Sequence, residues 1–179
     1  MDKSQNTLTW GAAPTTTCMK LWEFVEPEDY KDVLVWGVGD GRNVIFLAGQ
    51  GYNVTAIDPS AEAIEKLEAW AKESGLKINT RVESVDSSNL GGPYDIVISV
   101  GLINLIPSCD REKTFQKIQS ITNTNGLNAI SAFVDKPFLN TKNDAHMKSG
   151  NFSDHIIHGE SIEKLTQSLS NLAKRDFLC

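Results

Sequence analysis

Between Asp32 and Val134 the chain alternates short apolar runs, rich in β-formers, with amphipathic stretches of helical period. That alternation is the pattern of βαβ units wound around a parallel sheet. "DVLVW" (32–36) reads as the first strand, and "RNVIFLAGQ" (42–50) as a short helix with Val44, Ile45, Leu47 and Ala48 on one face. Gly49 and Gly51 stop it, because glycine takes the left-handed conformation that closes helices. "NVTAID" (53–58) is the second strand. Ser60 then stands at an N-cap position and Glu62 puts a negative charge in the first turn. Ile64, Leu67 and Ala71 follow at helical spacing, with Gly75 as the stop.

"KINTRVE" (77–83) alternates and predicts a third strand. "YDIVISV" (94–100) is almost continuously apolar, as a central strand buried on both faces must be. "REKTFQKIQSI" (111–121) predicts a helix with Phe115, Ile118 and Ile121 inward, and "NTNG" turns the chain into a fifth strand over "LNAISAFV" (127–134). Ahead of this core, "CMKLWEFV" (18–25) predicts a helix, and Trp22, Phe24 and Trp70 are assigned to packing. Behind it, the polar, turn-rich stretch 135–160 reads as a loop or lid and 161–175 as a last helix. "DFLC" can begin one more strand but leaves a closing hairpin short or missing. The reading is one α/β domain over residues 1–179.

Composition narrows the function. A net charge of −6 with scattered Lys and Arg lacks the basic stripe that grips phosphates, so no nucleic-acid partner is expected. Runs such as "DIVISVGLINLI" fall short of a bilayer span, so no membrane partner is expected either. "MDKSQNTLTWGAAP" has no apolar core of signal-peptide length, which predicts a cytoplasmic protein. Three widely spaced cysteines, Cys18, Cys109 and Cys179, fit reduced thiols. "DHIIH" lacks the tight, paired ligand spacing of a metal site, so His146, His155 and His158 are read as surface residues and no metal is expected.

The chemistry sits in "VWGVGDG" (35–41). A strand running into Gly37, Gly39 and Gly41 and then a helix leaves backbone bare, so a ligand can lie against amides near a helix N-terminus. Dinucleotides and S-adenosylmethionine both use such a corner. The dinucleotide fingerprint G-x-G-x-x-G places its third glycine where this chain has Arg42, and so disfavours the first. Asp58, closing the second strand, supplies the expected second half: a carboxylate able to accept from both ribose hydroxyls.

The stretch from Val33 to Leu67, "VLVWGVGDGRNVIFLAGQGYNVTAIDPSAEAIEKL", resembles the opening of a class I S-adenosylmethionine-dependent methyltransferase of the tellurite-resistance and thiopurine type. "PYDIVISVGLINLI" and "TNTNGLNAISAFV" resemble its fourth strand and its turn into the fifth. "WGAAP" (10–14) resembles an N-terminal segment that covers the cofactor, here placed within residues 1–30. The resemblance implies a Rossmann-like, doubly wound, mostly parallel sheet in the order 3-2-1-4-5, with S-adenosyl-L-methionine as cofactor and a small-molecule methyl acceptor. It implies cofactor contacts from Trp10, Gly37, Val38, Gly39, Arg42 and Asn43, from Asp58 and Pro59, and from Ser84, Val85 and Val100. Asn104, in the loop after strand four, is a weaker candidate for facing the acceptor.

Departures from the family pattern are specific. Val35 stands where an acid usually precedes the first glycine, Ser84 where an acid often meets the adenine, and Thr124-Asn125-Gly126 where Pro-Gly-Gly is usual. Val35, Ser84 and the short C-terminus favour, as a rival, a binding domain without transferase activity; a lyase or hydrolase consuming the same cofactor is a second rival. Neither a catalytic residue, nor the acceptor, nor an oligomeric state is legible.

Overall fold

The apolar runs become strands because their alternate residues find partners on two sides. A computed structural model of the chain describes residues 8, 11–84, 87 and 89–132, and the backbone of 177–178. Its strands are β1 (Asp32–Trp36), β2 (Asn53–Asp58), β3 (Asn79–Val82), β4 (Tyr94–Val100), β5 (Thr122–Ser131) and β6 (Phe177–Leu178). They form one sheet in the order β3-β2-β1-β4-β5-β6, and every pairing is parallel. The predicted order 3-2-1-4-5 is thus observed, with β6 added beside β5.

Among the described residues, five helices cover the faces: α1 (Thr16–Trp22), α2 (Arg42–Gly49), α3 (Ala61–Glu73), α4 (Leu102–Leu105) and α5 (Arg111–Ser120). Val33 and Val35 of β1 point to one side, where Cys18 and Leu21 of α1, Val44 and Leu47 of α2, and Ile64 and Leu67 of α3 close over them. Leu34 and Trp36 point to the other, against Leu102 and Ile103 of α4 and Phe115 and Ile118 of α5. Burial on both faces explains why β1 and β4 carry no polar alternation. Ser60 caps α3 by accepting from the Ala63 N–H at 3.2 Å, as its position predicted.

Three sequence expectations change. The first helix ends at Trp22, so the helical spacing that put Phe24 in the core is never realised. Phe24 is 68% exposed, and Trp22 lies at the surface with its ring edge-on to Phe46, centroids 5.7 Å apart. Trp70 is only half-buried. The fifth strand begins at Thr122 rather than 127 and carries an irregularity: Tyr94 pairs with Thr122, but Ile96 pairs with Leu127. The extra residues are accommodated at Asn125, with φ of 70°, and Asn123 is held by the Asp95 carboxylate at 2.7 Å. The proposed lid (135–160), the last helix (161–175) and the three histidines lie outside the described residues.

Candidate functional site

At the end of β1 the chain must leave the sheet without blocking it. Trp36, the bulkiest residue there, turns its indole into the α4/α5 side of the core and is fully buried. The corner beyond it is therefore backbone. Gly37, Gly39 and Gly41 have φ of 86°, 55° and 83°, the left-handed region that a Cβ disfavours. Their surroundings separate their roles. A Cβ on Gly41 would meet Leu67 Cδ1 of α3 at 3.0 Å, so this glycine serves helix packing. A Cβ on Gly37 would touch Leu102 at ordinary distance, 3.5 Å. A Cβ on Gly39 would meet nothing within 4 Å, because it would project into open space. Gly39 is the bare position a ligand can approach.

Asp58, at the tip of β2, faces this corner and helps build it. Its Oδ2 accepts from the Val38 N–H at 2.8 Å and its Oδ1 from the Ser60 N–H at 2.9 Å. One carboxylate thus ties the glycine turn to the start of α3. Each oxygen retains a second lone pair, so the group can still accept from ligand hydroxyls. Asn43, in the first turn of α2, is buried, and its Oδ1 accepts from the Thr15 N–H at 2.8 Å and the Thr15 hydroxyl at 3.1 Å.

These groups border one cavity of ≈ 230 Å³ at the carboxyl ends of β1, β2 and β4, where open α/β sheets bind their ligands. Of the residues implied by the sequence, Gly37, Val38, Gly39, Arg42, Asn43, Asp58, Pro59 and Val100 all line it. Ser84 does not: it is exposed beyond the tip of β3. Its neighbour Glu83 is engaged as well, since the Ser87 hydroxyl at 2.6 Å and the Arg81 guanidinium hold its carboxyl below the ordinary range. Trp10 and Val85 lie outside the described residues. Asn104 is buried on α4 and takes no part in the cavity wall.

Sequence reasoning missed Thr15, Asp40, Gly101, Leu102 and Leu105, which complete the lining. Thr15 carried a readable signal, being a threonine one residue before a helix; its side chain caps α1 by accepting from the Cys18 N–H at 3.2 Å. Leu102 and Leu105 carried none, because a four-residue helix is too short to show a period. Val35 is 2% exposed, sealed among Cys18, Val38 and Val44, and does not reach the cavity.

Two roomier hollows lie elsewhere. One of ≈ 540 Å³ is bordered by Asn53, Glu68, Lys77 and Asn79, and one of ≈ 340 Å³ by Asp29, Asp95 and Asn125. Both sit at the amino ends of the strands, away from the Gly37–Gly41 corner and from Asp58, so volume is a poor guide to the site here. Among the described residues no three His, Cys, Asp or Glu side chains gather as a metal set. No described helix is long and apolar enough to cross a membrane.

Comparison with known proteins bears on the family and the fold. The family model described as a methyltransferase domain matches residues 33–126, more than half of the chain. The ubiquinone biosynthesis O-methyltransferase of Rickettsia conorii is 44% identical over 75 residues, 40% of this chain and 25% of that protein. The probable S-adenosyl-L-methionine-dependent methyltransferase TehB of Haemophilus influenzae is 29% identical over 100 residues, 56% of this chain and 35% of that protein. A structure solved in work on the conversion of a disulfide bond into a thioacetal group during echinomycin biosynthesis superimposes with a TM-score of 0.61 at 26% identity. It covers 69% of this chain and 51% of that one. The chain thus spans a quarter to about half of the length of these three proteins. With a glycine corner, a carboxylate at the neighbouring strand tip and a family match running from β1 into β5, the chain belongs to the methyltransferase domain family and is similar to the S-adenosyl-L-methionine-dependent TehB.

Proposed function

We propose that the chain binds S-adenosyl-L-methionine in the cavity at the carboxyl ends of β1, β2 and β4 and methylates a small molecule. The observation that carries the reading is the junction of Gly39 and Asp58: open space above a bare left-handed glycine, beside a carboxylate with accepting capacity to spare. The cofactor supplies a methyl on a sulfonium, a leaving group already activated, which a nucleophile displaces in line as the C–S electrons return to sulfur.

The protein's task is then to hold and orient. Asp58 accepts from the ribose hydroxyls while its bond to Val38 keeps the turn in place. Pro59 borders the adenine, and Val100 and the backbone of Gly37 border the methionine side. Leu102 and Leu105 give the remaining wall an apolar surface that excludes water from the reacting atoms. Acceleration comes chiefly from alignment of nucleophile and methyl. Among the described residues, the charged side chains that line the cavity are Asp40, Arg42 and Asp58. Asp58 is committed to its two backbone amides and to the ribose. This supports an acceptor whose nucleophile is anionic or soft at neutral pH, such as a thiolate or a selenium or tellurium oxyanion, which reacts without surrendering a proton to the protein. The sulfur chemistry named for the echinomycin structure is compatible with this class, whereas the ubiquinone relative's name points to an oxygen acceptor.

Val35 favours a second reading, retention of the cofactor without transfer. A charge-assisted hydrogen bond to the ligand ammonium is worth about 1.5–3 kcal/mol, so its absence lowers affinity roughly ten- to a hundredfold. Calorimetric titration with adenosylhomocysteine, adenosylmethionine and NAD separates the ligand classes; binding of NAD alone would overturn the proposal. Mass spectrometry of thiol, selenite and quinol mixtures then distinguishes a methylated product from cofactor cleavage or from no turnover.

A further inference from the structure

Asn43 lines the cavity, and its side-chain acceptor is engaged within the protein. Both hydrogen bonds to its Oδ1 come from Thr15, 28 residues earlier: the backbone N–H at 2.8 Å and the hydroxyl at 3.1 Å. The same hydroxyl accepts from the Cys18 N–H at 3.2 Å, and the Thr15 carbonyl accepts from the Met19 N–H at 2.9 Å. A single amide oxygen therefore fixes the residue on which the first turn of α1 is built. The apolar side of α1 continues the connection, because Cys18 and Leu21 are buried against Val44 and Leu47 of α2. Thr15 itself is part of the cavity wall. Displacement of Thr15 would move that wall.

We propose that Asn43 is a positioning residue: it acts through Thr15 to hold the start of α1 as a wall of the cofactor cavity, and it does not bind the cofactor directly. The proposal rests on the methyltransferase reading for the identity of the ligand, but the latch between Asn43 and Thr15 can be measured without it. Two chemistries are separable by one substitution. A latch needs only an acceptor at the Oδ1 position, which Asn43→Asp preserves at nearly identical shape, in a first helical turn that tolerates negative charge. Direct binding through the side-chain N–H₂, for instance to the carboxylate of the ligand's amino acid end, would be abolished by the same change.

The experiment compares adenosylhomocysteine affinity by calorimetry with hydrogen exchange over residues 15–22, in the full chain and in Asn43→Leu, Asn43→Asp and Thr15→Val. Asn43→Leu, close in volume but without an acceptor, is expected to weaken binding about tenfold, the equivalent of one lost hydrogen bond, and to speed exchange in α1. Asn43→Asp should rescue both to within about twofold of the parent, and Thr15→Val should fall between. Equal loss in Asn43→Asp and Asn43→Leu would overturn the proposal in favour of direct contact. Parent-like affinity in Asn43→Leu would overturn it outright. If Asn43→Leu does not fold, Thr15→Val against Thr15→Ser carries the same comparison. Should the unmodified chain bind no adenosylhomocysteine, the cofactor reading fails, and unchanged exchange over 15–22 in Asn43→Leu would then sink the latch separately.

Discussion

Replacing Asp58 tests the site at its most loaded atom pair. In Asp58→Ala the Val38 and Ser60 amides lose their acceptor. Hydrogen bonds to charged groups contribute about 1.5–3 kcal/mol each when buried. Asp58 is only half-buried and its bond to Ser60 is exposed, so solvent takes over part of both. A combined stability cost of about 2 kcal/mol is the reasonable sum, which lowers the melting temperature of a chain this size by roughly 4–8 °C. Binding falls for a separate reason: lost acceptance from the ribose hydroxyls removes about 1.5–3 kcal/mol, or roughly ten- to a hundredfold in affinity. Asp58→Asn is the sharper variant. Its carbonyl can serve one amide, while its N–H₂ would oppose the other donor, so it should recover little. Differential scanning calorimetry and isothermal titration with adenosylhomocysteine, both below the mutant's transition, read the two effects independently. A lower melting point with unchanged affinity would leave Asp58 as a brace for the turn and refute the ribose role. Unchanged melting with lower affinity would refute the bond to Val38.

The glycines should divide as their surroundings do. Gly39→Ala carries only left-handed strain of about 1 kcal/mol and should lose ligand affinity with a small fall in melting temperature. Gly41→Ala adds a contact with Leu67 and should lose more stability, the order being read by paired melting and titration. Val35→Asp, which restores the family's usual acid, should destabilise by about 3 kcal/mol or more without improving affinity, because a lone charge would sit among apolar side chains; tighter adenosylhomocysteine binding would contradict this. Asp95 lies at the other end of the sheet. Burial opposes its ionisation, but the Asp32 N–H, the Asn123 amide and the Lys31 N–H prevail and hold its carboxyl below 3.8. Since the unfolded chain binds this proton more readily, Asp95 contributes stability that is complete above that value and is lost as pH falls below it. Acid unfolding of Asp95→Asn should lack this component, as fluorescence-monitored titrations below pH ~4 would show. Burial pushes the Cys18 thiol up to about 12, so iodoacetamide at neutral pH should label the exposed Cys109 and spare Cys18 until the chain unfolds; equal labelling rates by peptide mass spectrometry would refute the packing of α1.

The parts of this site legible in sequence are those in which one residue type answers one local demand. Left-handed corners demand glycine, and a strand tip beside a bare turn demands an acceptor, so Gly37, Gly39 and Asp58 could be found by spacing alone. The βαβ organisation followed from the alternation of β-rich and amphipathic runs, whereas the strand order came from the family resemblance. What escaped depends on meetings between distant segments: Thr15 with Asn43, Leu102 with Gly37, Asn123 with Asp95. No local pattern encodes those, and the exposure of Phe24 shows the reverse error, a period extrapolated past the point where the helix stops.

Val35 joins the two kinds of information. By spacing it looks like a missing carboxylate, a gap in an otherwise intact motif. In the fold it is a core residue beneath the apolar side of α1, in the same cluster as Cys18, Leu21 and Val44. A carboxylate there would have to ionise within that cluster, against a desolvation cost of several kcal/mol. The helix that Thr15 starts and Asn43 holds is therefore compatible with valine at position 35 and incompatible with an acid. The departure from the family pattern and the docking of α1 are one structural choice, and it follows that restoring the acid alone cannot restore the family's mode of gripping the ligand.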